Sequence, residues 1–161
     1  MLKGNLEVSL PTPYLGGEIY AEIYEVGGAQ PTTIIRTDQD WGVKLHWDLK
    51  GSLAPFICGR WCVHLFLESM GPGPELEIDA NPKYIPLDPC GDGEYDFDFR
   101  VPRGRVTGEH CSTPYKLVVT VTYLTVCDKP GPIAGFVEGP LVQFYEVHDK
   151  RVYETNEPYS R

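Results

Sequence analysis

The strictest constraint in this chain is a two-residue rhythm of apolar side chains. From Trp41 to Leu49 every odd position is apolar (Trp41, Val43, Leu45, Trp47, Leu49), and the even positions hold Gly42, Lys44, His46 and Asp48. Successive side chains of an extended strand point to opposite faces, so this spacing predicts a strand with one face in a core and the other in water. Arg60–Glu68 repeats the rhythm, with Trp61, Val63, Leu65 and Leu67 against Cys62, His64, Phe66 and Glu68. Glu94–Val101 sets Tyr95, Phe97, Phe99 and Val101 against Asp96, Asp98 and Arg100. Lys116–Cys127 is the longest run and is apolar on both faces. No window carries the stripe of an amphipathic helix.

Glycine (17) and proline (15) cluster between these runs. Gly27-Gly28, Lys50-Gly51, Gly71-Pro72-Gly73-Pro74, Gly91-Asp92-Gly93 and Pro130-Gly131-Pro132 supply positive or fixed φ at tight corners. Further strands are expected at 18–26, 33–37, 75–79, 133–137 and 141–147. Many short strands without intervening helices point to an all-β fold, an antiparallel two-sheet β-sandwich with Trp41, Trp47 and Trp61 filling its core. Gly91-Asp92-Gly93-Glu94-Tyr95 resembles the D-x-G-x-Y approach to the tyrosine corner of immunoglobulin-like domains, although no cysteine follows Tyr95. That resemblance implies a sandwich of immunoglobulin or fibronectin-like type. The expected organisation is an N-terminal arm (1–17), the sandwich domain (18–147) and a polar C-terminal tail (148–161).

The 14 basic and 23 acidic residues leave a net charge of −9. Such a balance argues against a nucleic-acid binder, whose affinity comes from Lys and Arg meeting phosphates, and against a polybasic membrane-surface module. The first residues lack the apolar stretch of a secretory signal, and no apolar run approaches the length of a membrane span. Five cysteines, an odd number, read as reduced thiols in a cytoplasmic protein.

Catalytic signatures are missing: there is no G-x-S-x-G elbow, phosphate-binding glycine loop or H-E-x-x-H. A Cys111 dyad with His46 or His64 needs proximity that spacing does not supply. Cys58, Cys62, Cys90, His110 and Cys111 lack the second closely spaced pair of a zinc ribbon. The acidic turn offers Asp88, Asp92, Glu94 and Asp96 as candidate calcium ligands without the spacing of an EF-hand. The reading is therefore a non-enzymatic protein without a cofactor.

Aromatic and apolar residues outside the expected core carry the functional expectation. Tyr20 and Tyr24, Phe66, and Val118, Leu124 and Val126 fall on outward positions, and Tyr153 and Tyr159 punctuate the tail. A strand with water outside should not be apolar on both faces. Either the N-terminal segment Leu6–Leu10 covers the 116–127 strand, or its outer face meets a partner. The Pro-Gly-rich stretch 130–145 reads as a bent edge strand, with an insertion gripped by another subunit as the alternative. The function expected is a structural subunit or adaptor working through protein–protein contacts or self-association. The alternative is a ligand-binding module for carbohydrate, with Tyr20, Tyr24 and Phe66 stacking on sugar rings and calcium at the acidic turn.

Overall fold

The computed structural model describes residues 1–28, 32–78, 82–107 and 114–147. The tail with Tyr153 and Tyr159, and the pair His110-Cys111, lie outside the described residues. The fold is all-β and mostly antiparallel. Its strands are β1 (Leu2–Val8), β2 (Glu18–Glu25), β3 (Ile34–Arg36), β4 (Trp41–Asp48) and β5 (Gly59–Ser69). They continue with β6 (Leu76–Glu77), β7 (Lys83–Pro86), β8 (Glu94–Val101), β9 (Pro114–Thr125) and β10 (Pro130–Tyr145). The described residues contain no α-helix, only a 3₁₀ turn at Ala54–Phe56.

The four rhythmic segments become β4, β5, β8 and β9, and their expected inward residues are buried except Phe97, which is half-buried against the core. Layering differs from the expectation of two separate sheets. The strands form one hydrogen-bonded path in the order β6-β5-β9-β10-β1-β2-β4-β8, with β7 beside β5 and β3 beside β10. The joint is β1, whose Leu2–Asn5 pairs with β2 and whose Leu6–Val8 pairs with β10. The expected N-terminal arm thus supplies a strand inside the sheet and does not cover β9.

This long sheet curls like half a barrel over its own inner face. Trp47 on β4 and Trp61 on β5 are far apart along the path, yet their rings meet edge to face at 6.1 Å. Tyr95 stacks on Trp47 at 5.5 Å, and Trp41 packs on Phe144 of β10 at 5.4 Å. Replacing a tryptophan of this size in a close-packed core by alanine costs about 3–5 kcal/mol. The tyrosine-corner segment also reaches the core: Tyr95 is buried, and burial raises its phenol above the usual value against a hydrogen bond from the Asp88 backbone.

Two expected strands, 133–137 and 141–147, are one. Gly139 takes φ +86°, a conformation favouring glycine, and the register with β9 shifts between Glu138 and Leu141. A bulge there bends β10 without ending it. Nor is β10 an edge. It has β9 along one side, while β1 and β3 take successive parts of the other. Pro140, which has no N–H to donate, falls between those two partners and interrupts neither ladder.

Candidate functional site

The expected contact residues divide between two opposite surfaces of the curled sheet. Tyr20 and Tyr24 stand on the outer face of β2, beside β4 and β8. Phe66, Val118 and Leu124 stand on the outer face of β5 and β9. Val126 belongs to neither and sits 73% exposed in the turn after β9.

The outer surface of β2, β4 and β8 is polar and tightly paired. Tyr24 is only 7% exposed: Lys44 lies over its ring, and its hydroxyl donates to Asp98 Oδ1 at 2.6 Å. Tyr20 is half-buried, donates to Glu18, and carries Lys3 over its ring. Lys3 in turn pairs with Glu18 at 2.6 Å, which holds that carboxyl below its ordinary range. His46 places Nδ1 2.9 Å from Asp96 and Nε2 3.0 Å from Glu94. Both partners only accept hydrogen bonds, so imidazolium alone satisfies both, and the hydrogen bond to Asp96 chiefly raises the His46 pKa. A depression of about 410 Å³ beside it is lined by Tyr20, Lys44, His46 and Asp96.

These pairings also spend the acidic turn. Asp88 accepts the Cys90 N–H and Asp92 the Glu94 N–H, while Glu94 and Asp96 bracket His46 from opposite sides of its ring. The four carboxylates therefore do not converge on one point. Among the described residues no group of three or more His, Cys, Asp and Glu is arranged to hold a metal ion. Cys58, Cys62, Cys90 and Cys127 are free, and of these only Cys62 is buried.

A second concavity, about 740 Å³, opens where β1 leaves β2. Leu6, Val8, Leu10 and Leu15 line it together with Glu18, Asp48 and Lys50. Asp48 is the one buried charge among the described residues; it accepts the Glu18 N–H at 3.0 Å and pairs with Lys50 at 2.7 Å.

The other surface, across β5, β9 and β10, differs in character. Phe66 lies opposite Val118, and Phe136 lies opposite Thr120, diagonal to Val118. Diagonal neighbours on one sheet face are close enough for side chains of this size to touch. Phe136 is 49% exposed, and Phe66 and Val118 are half-buried. Beside this apolar centre Lys116 pairs with Glu138 at 2.6 Å, and further along β5, opposite Leu124, Arg60 pairs with Asp128 at 2.7 Å. Tyr84, 49% exposed, extends the surface from β7 beneath the Arg60 guanidinium, 4.4 Å from its ring. Lys116, Thr120 and Thr122 interleave Val118 and Leu124, so the outer row of β9 is mixed and not uniformly apolar. Sequence reasoning located Phe66, Val118 and Leu124 but missed Phe136 and Tyr84. A strand over 133–137 is expected from the sequence, but its adjacent apolar pair Phe136-Val137 does not say which of the two faces outward, nor that Phe136 stands beside Val118.

No protein-family model and no curated protein sequence matches the chain. Among solved structures it is similar to a Niemann-Pick type C2 protein from the Japanese carpenter ant, at 8% identity, covering 77% of this chain and 89% of that one with a TM-score of 0.40. It is also similar to the soluble domain of PmoD from Methylocystis sp. ATCC 49242 (Rockwell), at 12% identity, covering 86% of this chain and 97% of that one with a TM-score of 0.32. No helix among the described residues is long and apolar enough to cross a membrane.

Proposed function

We propose that this protein is a non-catalytic binding subunit or adaptor whose docking surface is the outer face of β5, β9 and β10. The observation that carries this reading is the contiguity of Phe66, Val118 and Phe136 from three neighbouring strands, bordered by the Lys116–Glu138 ion pair. An apolar centre inside a polar rim is the usual anatomy of a protein–protein interface. With a net charge of −9, a second copy is repelled and a partner with a basic rim is attracted, so the occupant is a different, basic protein.

The experiment is retention of partners on the tagged full chain at low salt, followed by reconstitution with the purified partner. Phe136→Asp places a charge at the centre of the contact and is expected to weaken binding about tenfold or more, with the fold intact. An unchanged affinity contradicts the reading. A dimeric mass by light scattering, with no other partner retained, makes the occupant a second copy.

The carbohydrate alternative has less support. Tyr24 is buried, Phe66 faces the other way from Tyr20, and the acidic turn is occupied with its own backbone and His46. A finer kinship with immunoglobulin or fibronectin-like sandwiches is favoured by the Trp47–Trp61 contact across the core and by the burial of Tyr95. The free thiols favour a reducing compartment such as the cytoplasm.

A further inference from the structure

We propose that Cys62, His64 and Glu77 form a peroxide-reactive thiol site on the outer face of β5 and β6. Cys62 and His64 are two residues apart on one strand and so share a face, and Glu77 is the register partner of Phe66 on β6. His64 Nε2 lies 3.4 Å from Cys62 Sγ, and His64 Nδ1 lies 3.2 Å from Glu77 Oε1. A carboxylate only accepts, so the neutral imidazole keeps its single proton on Nδ1 and turns the Nε2 lone pair to the thiol. The ring is held in this plane by Phe66, stacked on it at 5.4 Å with 7° between planes. Nucleophile, base and orienting carboxylate are thus in the relation that activates a thiol.

Cys62 is 8% exposed, so the oxidant proposed is a compact one. Burial raises its pKa, so the resting group is the thiol and the base acts during attack. His64 Nε2 takes the thiol proton as sulfur attacks the terminal oxygen of hydrogen peroxide or a small hydroperoxide. The S–O bond forms and the O–O bond breaks. Sulfur loses two electrons, the peroxide gains them, and His64 returns the proton to the departing oxygen. The products are the Cys62 sulfenic acid and water or an alcohol.

The titratable groups facing this pair are Glu77 from β6, Tyr84 from β7, opposite Cys62, and Arg60 on β5 itself; β9 presents Thr120 and Thr122. Glu77 acts through His64 and is a positioning residue.

The test is capture of sulfenic acid with dimedone on the reduced full chain exposed to hydrogen peroxide, quantified for each cysteine by peptide mass spectrometry. Cys62 is expected to react about tenfold or more faster than the exposed Cys58, Cys90 and Cys127, and His64→Asn is expected to remove that advantage. Glu77→Gln, at an exposed position, puts an amide that can donate to Nδ1 where the carboxylate only accepted, which frees the ring to carry its proton on Nε2. The Cys62 rate is expected to fall toward that of His64→Asn, and Glu77→Asp is expected to restore part of it. A Cys62 rate no higher than those of the exposed thiols, a rate untouched by His64→Asn, or one untouched by Glu77→Gln overturns the proposal.

Discussion

Tyr24 lies across Gly42 to give its hydroxyl to Asp98, so that one side chain spans β2, β4 and β8. The ring needs the space that a side chain at position 42 would fill: a Cβ there would stand 2.5 Å from the Tyr24 hydroxyl and 2.4 Å from the Phe99 carbonyl oxygen. Gly42→Ala is therefore expected to destabilise the fold by about 1–3 kcal/mol, the usual cost of overpacking. Tyr24→Phe keeps the ring and loses the hydrogen bond, for about 1 kcal/mol. Urea denaturation of both variants checks the order, and a neutral Gly42→Ala contradicts it.

The same tyrosine sets an alkaline limit. Burial, and then the hydrogen bond to Asp98, push its pKa up to about 12 from an ordinary 10.0. The neutral phenol is the form favoured by the fold. Its contribution is complete below the unfolded value and is lost as pH rises from about 10 toward 12. Ultraviolet titration is expected to show a late-ionising group of tyrosines, since burial also raises Tyr95 and Tyr123, and to lose one of them in Tyr24→Phe. Ionisation of all tyrosines near 10 would argue against the buried placement.

At the other end of the scale His46 ties β4 to β8. Its pKa is raised by the hydrogen bond to Asp96, with Glu94 adding and burial opposing. The stabilising form is the imidazolium, so its contribution is full below the ordinary value of 6.5 and fades as pH rises through the higher folded value. Denaturation midpoints are expected to fall as pH rises above the ordinary 6.5, and His46→Gln is expected to flatten that part of the profile. A proton NMR titration placing His46 below 6.5 contradicts the bracketing by two carboxylates.

Much of the strand content was legible because the alternation in β4, β5, β8 and β9 reports directly which face each side chain takes. Layering was not legible. Nothing in Leu2–Val8 announces that Asn5 and Leu6 belong to different neighbours, since the switch is made by pairing partners distant in sequence. The Pro-Gly composition of 130–145 suggested an edge because proline lacks a donor. It did not reveal that Gly139 would carry the chain through a bulge with sheet on both sides. For residues pointing away from the core, outwardness was readable and company was not. Tyr24 was correctly placed outward, but whether such a residue meets solvent or, as here, a glycine and an aspartate depends on register across three strands.

The central claim, that the β5–β9–β10 face receives a partner, is tested most directly by carbene footprinting of the chain alone and in complex with its purified partner. The expected result is protection confined to peptides carrying Phe66, Tyr84, Val118 and Phe136, with labelling around Tyr20, Lys44 and His46 unchanged. Protection around Tyr20, Lys44 and His46 with the Phe66–Val118–Phe136 surface still labelled would contradict it.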